Sequence, residues 1–111
     1  MDYKVTQVNG LDVVTIRGRV DGMTSPQLEE AIKGLMDGGK YRLILDMTEV
    51  EFMSSAGWWV LIEAQKKAKK QNGELILVNV NEKIRASLNL VGMDNYFKLC
   101  DSVSAAAASF S

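Results

Sequence analysis

The 111 residues correspond to one domain, and an apolar fraction of 47% is enough for one hydrophobic core without metal or disulfide cross-links. The 13 basic and 14 acidic side chains give a formal charge of −1, so the composition has neither the basic excess typical of nucleic-acid binding nor an acidic, disordered tail. The chain contains no histidine, which excludes Ser-His and Cys-His nucleophiles and most zinc sites.

The first predicted elements are two strands joined by a tight turn. Asn9-Gly10 is a strong hairpin signal, because both central residues of a type I′ turn need positive φ angles. It predicts antiparallel strands over residues 3–8 and 11–20. Val14 and Ile16 are expected to share the buried face of the second strand.

A loop and a helix follow this hairpin. Gly18 and Gly22 bracket the loop, which contains Asp21. Ser25 is expected to cap the helix, and Pro26 suits its first position, where the missing N–H costs nothing. Apolar side chains then recur with helical spacing and predict one buried face: Leu28, Ala31, Ile32, Leu35 and Met36.

The centre of the chain predicts a strand, a loop and a second helix. The short apolar run over residues 43–45 is typical of a strand buried on both faces. Residues 49–53 are expected to form a connecting loop. The second helix is expected to open at residues 54–57 and to end at Asn72-Gly73.

The last part of the chain predicts two short strands and two helices. Residues 75–80 form the first of these strands, and Asn81 can cap the helix that follows. Residues 96–99 predict a short edge strand. Asp101 or Ser102 is expected to cap the final, alanine-rich helix.

The order of these elements predicts an α/β fold. A strand, a helix and a strand in succession imply parallel strands with a right-handed crossover. We expect residues 1–111 to form a single domain with a four- to five-stranded, mostly parallel mixed sheet, three to four helices and an N-terminal β-hairpin.

Features that the sequence lacks predict the compartment of the protein and give no reason to assign a cofactor. The single cysteine, Cys100, excludes an internal disulfide and fits a reducing compartment. The first residues have no signal-peptide core, and no apolar run approaches the roughly 20 residues of a membrane span. We therefore expect a cytoplasmic protein that does not associate with membranes, and we assign it no metal or cofactor.

The candidate functional feature is the pair of serines, Ser54 and Ser55, at the start of the second helix. Strand ends and helix starts are where sites lie in open α/β sheets. A helix N-terminus offers free N–H groups and the positive end of the helix dipole, so it accommodates an anion. Spacing alone favours a plain capping role for Ser55, and a capping serine that is exposed can also be phosphorylated.

The segment over residues 46–57, D-M-T-E-V-E-F-M-S-S-A-G, resembles the STAS domains of anti-sigma factor antagonists. Gly18-x-x-Asp21 and Leu90-x-Gly92-Met93-Asp94 fall onto further segments of that family in the same order. The resemblance covers essentially the whole chain and implies the STAS fold.

The resemblance also implies a function. In the family, the serine at the position of Ser55 accepts phosphate from a kinase-type anti-sigma factor with a histidine-kinase-like ATPase fold. A PP2C-type phosphatase removes it, and the unphosphorylated form binds the kinase. Ser54 stands where many members have aspartate, which makes Ser54 a rival acceptor. The implied protein is a phosphorylation-controlled partner-switching module rather than an enzyme, and a monomer or weak dimer.

The second helix supplies the other half of the expected interface. Helical spacing predicts a core face formed by Gly57, Val60, Leu61, Ala64 and Ala68. Trp59 lies on the opposite, polar face, and tryptophan is enriched among interface anchors. Trp58 and Ile62 are expected on the flank. The predicted partner-binding surface comprises Asp21, Gly22, Ser25, Ser54, Ala56, Gly57, Trp58, Trp59, Ile62 and Glu63.

Two other functions compete with this one. A serine nucleophile on a strand–helix turn is similar to the G-x-S-x-G elbow of hydrolases, but Met53 occupies the first glycine position and no histidine is present. An interaction module of another STAS system, in signalling or transport, would share the fold and differ in its partner.

Overall fold

The computed structural model describes residues 1–110 and forms one five-stranded sheet with four helices among them. In chain order the elements are β1 (Asp2–Val8), β2 (Leu11–Val20), α1 (Ser25–Asp37), β3 (Arg42–Met53), α2 (Ser55–Lys70), β4 (Glu74–Val78), α3 (Glu82–Leu90), β5 (Lys98–Cys100) and α4 (Val103–Ser109). The strands lie in the order β1-β2-β3-β4-β5, with β1 antiparallel to β2 and all other neighbours parallel. The predicted fold class is confirmed.

The N-terminal hairpin forms at the predicted turn. Asn9 and Gly10 have φ angles of 52° and 78°, and Val8 lies opposite Leu11. Val14 and Ile16 of β2 are fully buried on one face, as their alternation predicts.

Helices cover both faces of the sheet. Helices α1, α2 and α3 pack on one face, where the larger core forms around fully buried side chains such as Leu45, Leu61 and Leu77. Helix α4 covers the other face, where Ala106 packs with Ile44 and Ile76 in a smaller core. Among residues 1–110, no helix is both long enough and apolar enough to span a bilayer.

Two predicted element boundaries next to the candidate site, the end of β3 and the start of α1, are wrong. Residues 49–53 are not a loop, because β3 continues to Met53 and pairs with the end of β2. Ser25 is not the N-cap of α1, since it is the first helical residue and is buried. The capping position belongs to Thr24, whose side chain makes no cap hydrogen bond because the preceding loop uses it.

Candidate functional site

The extra length of β3 brings the start of α2 against the end of β2. Val20 pairs with Met53, and the N–H of Ser54 donates to the carbonyl of Val20 at 2.8 Å. The loop after β2 and the serine pair therefore lie side by side at the carboxyl ends of two parallel strands, which is where sites form in such sheets.

Ser54 and Ser55 have different structural roles. Ser54 is the N-cap of α2, with extended backbone angles, and its Oγ accepts a hydrogen bond from the N–H of Gly57 at 3.3 Å. Ser55 is the first residue of the helix, and its side chain is exposed and makes no hydrogen bond to any residue in 1–110. The interpretation of Ser55 as a plain N-cap is therefore wrong, since the adjacent serine fills that role.

The first turn of α2 retains donors for an anion. Helix N-termini leave backbone N–H groups unpaired, and the capping bond of Ser54 satisfies only that of Gly57. Within the part of the chain that the structure describes, the N–H groups of Ser55 and Ala56 have no partner. A negative group on the Ser55 side chain would meet these donors and the positive end of a 16-residue helix.

Gly57 allows this close approach. A Cβ atom at Gly57 would lie 2.3 Å from the Sδ of Met53 and 2.8 Å from Cγ1 of Val20. Both distances are far below van der Waals contact, so only glycine lets α2 begin this close to β2 and β3.

We expect Gly57→Ala to lower the free energy of unfolding by about 1–2 kcal/mol, because the overpacking at Val20 exceeds what alanine gains in helix propensity. Chemical denaturation measures this. Gly22→Ala is the matched control, since nothing lies within 4 Å of a Cβ at Gly22, and it should be neutral. A Gly57→Ala protein as stable as the wild type would contradict the described packing.

Asp21 organises the loop beside the serines. Its Oδ1 accepts hydrogen bonds from the N–H groups of Met23 at 3.0 Å and Thr24 at 3.1 Å. These bonds, that of Met23 foremost, hold the pKa of Asp21 below its usual value. The carboxylate thus contributes to loop stability above its ordinary pKa, and the contribution is lost as the pH falls through the lowered pKa.

Two of the residues expected at the partner surface lie instead in the core. Trp58 and Ile62 have no exposed surface, because α3 covers the flank of α2 on which they lie. The indole Nε1 of Trp58 donates to the Oγ of Ser87 on α3 at 2.8 Å, and its ring packs against Phe97. Their predicted role as direct partner contacts is wrong, since a fully buried side chain offers no contact area. Gly57 and Ser25 are also buried.

Trp59 and Glu63 remain exposed on α2. Half of the Trp59 surface is accessible, at 50%, one helical turn beyond Ser55. Glu63 is exposed as well and pairs with Lys66 at 3.3 Å. The predicted exposure of Trp59 is confirmed.

Met23 is an exposed residue that was not among the residues predicted for the site from the sequence. It is 92% exposed in the loop after β2, next to Gly22. Its position between a glycine and the start of a helix was the available signal, because loop residues lie on the surface. Met23 and Trp59 thus place large apolar side chains on the two segments that meet at Ser54.

Asp46 does not join this site. It alternates with Leu45 and Met47, which face α1 and α2, and so lies on the side of the sheet that α4 covers. Its Oδ1 accepts from the N–H and the hydroxyl of Thr48, and the Thr48 hydroxyl in turn accepts from Asn79 at 2.9 Å. This network ties the middle of β3 to the end of β4.

The described residues offer little for other chemistry at the serines. No cluster of three or more carboxylate and cysteine side chains suited to a metal ion occurs in residues 1–110. No base hydrogen-bonds the Ser55 hydroxyl in the same range, as a serine nucleophile would require. The arrangement is suited to carrying a covalently attached anion beside a partly apolar surface.

Comparisons with known proteins agree over nearly the whole chain. The family model described as STAS domain matches residues 2–106. The anti-sigma-F factor antagonist RsfB of Mycobacterium tuberculosis is 32% identical over 95 residues, which make up 86% of this chain and 77% of that protein.

Solved structures share the fold. The crystal structure of an anti-sigma factor antagonist from Mycobacterium paratuberculosis superposes with a TM-score of 0.86 at 29% identity and covers 97% of this chain and 92% of that one. The phosphorylated form of the Bacillus cell fate determinant SpoIIAA superposes with a TM-score of 0.74 at 18% identity, with 97% of each chain covered.

Proposed function

The chain belongs to the STAS domain family, and from this premise we propose that it is an anti-sigma factor antagonist whose binding is controlled by phosphorylation of Ser55. The observation that carries the proposal is the exposed, unbonded hydroxyl of Ser55 at the first position of α2. The names of relatives such as RsfB support the class of function.

The proposed partner is a kinase-type anti-sigma factor with a histidine-kinase-like ATPase fold, which binds the unphosphorylated protein. The proposed interface combines the loop at Asp21 and Gly22 with the exposed start of α2, including Ser54, Ala56 and Trp59. Exposed apolar side chains on both segments support this choice, because a half-exposed tryptophan and a fully exposed methionine provide contact area.

Phosphorylation would act through charge and desolvation. A phosphoserine carries about −1.5 to −2 charges at neutral pH, and burying it in an interface without a cationic partner is costly. In the free protein, the N–H groups at the start of α2 would hold the phosphate in place. The modified protein would therefore remain folded while its kinase complex dissociates, until a PP2C-type phosphatase restores the serine.

The two serines are distinguished by their hydrogen bonds. Phosphorylating Ser54 would require its half-buried Oγ to leave the capping bond with Gly57. The Ser55 hydroxyl makes no hydrogen bond within residues 1–110, so none has to break when it enters a kinase active site. The geometry favours Ser55, in agreement with the register of the family motif.

The test is phosphate transfer from the cognate kinase and ATP, followed by mass spectrometry of the modified peptide. We expect one phosphate on Ser55 in the wild type and in Ser54→Ala, which should lose about 1 kcal/mol of stability with its cap. Ser55→Ala is the matched control and should accept none. Phosphate on Ser54, or transfer that requires Ser54, would overturn the site assignment.

Affinity capture with the unmodified protein separates this function from that of another STAS complex. Recovery of a histidine-kinase-like ATPase supports the proposal. Recovery of a transport component in its place would favour the alternative.

A further inference from the structure

Strand β1 leaves one edge of the sheet open. Its seven residues pair with β2 on one side only, and the side chains of residues 2–7 are exposed. The strand contains no proline, and the pairing of β1 with β2 runs without a bulge. The opposite edge, β5, has only three residues and offers little to pair with. Short strands, prolines and bulges commonly protect an edge and are absent from β1, whose protecting features are the charged side chains of Asp2 and Lys4.

The hairpin turn determines which backbone groups of β1 face outward. In a two-residue turn, the flanking residues Val8 and Leu11 face each other as a hydrogen-bonded pair. Because this pairing alternates along antiparallel strands, Lys4 and Thr6 also direct their N–H and C=O groups toward β2. Tyr3, Val5 and Gln7 then direct theirs away from the sheet.

We propose that this edge pairs with the same edge of a second copy, with the two β1 strands antiparallel and Val5 opposite Val5. This register pairs every outward-facing residue, because Tyr3 then lies opposite Gln7 of the other copy. It also places Lys4 opposite Thr6, so no like charges are opposed. The register shifted so that Tyr3 lies opposite Val5 would oppose Lys4 to Lys4, which destabilises a sheet. The shift in the other direction would place Tyr3 opposite Asn9, which lies beyond the end of β1.

The side chains of β1 favour this pairing on the face of the sheet that carries α1, α2 and α3. Tyr3 and Val5 lie opposite the buried Ile16 and Val14, and they are 40% and 41% exposed. In the paired sheet, Val5 packs against Val5 across the two-fold axis and against Tyr3 diagonally, so the apolar row continues from one copy to the other. A second copy of this chain carries the same strand and therefore continues the apolar row symmetrically.

The small contact predicts a weak dimer. One pair of short strands buries less than the roughly 1,200 Å² of a stable interface. We expect a dissociation constant on the order of 0.1–1 mM. The paired region ends at Arg17 of β2, short of the Val20 junction with Ser54, so the dimer leaves Ser55 accessible and does not depend on its phosphorylation.

Sedimentation equilibrium up to about 1 mM protein tests the association. Val5→Lys places two lysines opposite each other at the centre, and Val5→Pro removes an outward N–H without removing a bond to β2. Each should weaken dimerisation at least about tenfold while thermal unfolding shows a folded protein. Gln27→Lys, on the exposed face of α1, is the matched charge control and should dimerise like the wild type.

Hydrogen exchange tests the register. The amides of Tyr3, Val5 and Gln7 should become more protected as the protein concentration rises, whereas those of Lys4 and Thr6 should not change. A wild-type protein that stays monomeric throughout would overturn the proposal, and so would a dimer that Val5→Lys and Val5→Pro leave intact. Neither result would bear on the Ser55 switch.

Discussion

Ser55→Asp is expected to weaken binding to the kinase-type anti-sigma factor by about 2–5 kcal/mol, which corresponds to at least about a thirtyfold rise in dissociation constant. The aspartate places an unpaired negative charge at the first position of α2, on the surface that includes the half-exposed Trp59. Desolvating that charge in the complex has no compensating partner. Isothermal titration calorimetry with the purified kinase measures the difference.

Ser55→Ala is the matched control for this variant. It should bind like the wild type, because the Ser55 hydroxyl makes no hydrogen bond within residues 1–110 that truncation would break. Both variants should remain as stable as the wild type, since neither breaks a hydrogen bond within residues 1–110 and the aspartate in the first turn interacts favourably with the helix dipole. Weaker binding therefore cannot be attributed to unfolding. Undiminished binding by Ser55→Asp would count against the charge mechanism.

Trp59→Ala is expected to cost about 2 kcal/mol or more of binding free energy, roughly a thirtyfold loss of affinity, with little change in stability. Trp59 is half exposed and makes no polar contact inside the described range, so the fold does not depend on it. A large aromatic side chain beside the modified serine has the features of an interface anchor.

The adjacent Trp58 provides a contrast to Trp59. Trp58 is fully buried and hydrogen-bonds Ser87, so Trp58→Ala should lower the free energy of unfolding by about 3–5 kcal/mol. Denaturation curves and kinase titrations of the two variants separate the roles. A Trp59→Ala protein that binds the kinase with wild-type affinity would remove Trp59 from the interface.

The sequence predicted the sheet and its helices because the local signals were strong. Asn9-Gly10 specified the hairpin turn, and the apolar run over residues 43–45 specified the central strand. The continuation of β3 to Met53 was missed, because residues 49–53 contain two glutamates and lack a regular apolar run. The alternation of Glu49, Val50, Glu51 and Phe52 is a local strand signal that was not used, and pairing with β2 completes the strand.

The candidate site was predicted from the sequence, but the burial of some of its residues was not. The start of α2 was identified from its serines and from the family resemblance, and the exposure of Trp59 followed from helical spacing. The burial of Trp58 and Ile62 could not be predicted, because it depends on the position of α3, which follows β4 in the chain and packs beside α2. Helical periodicity predicts one face toward a sheet, whereas α2 also has a helix along its flank.

The most direct test compares the affinity of the cognate kinase-type anti-sigma factor for the unmodified protein and for protein phosphorylated on Ser55 alone. We predict tight binding of the unmodified form and at least a roughly thirtyfold weaker complex with the phosphorylated form, under conditions where circular dichroism shows both to be folded. Equal affinities for the two forms would contradict the proposal that phosphorylation of Ser55 controls binding.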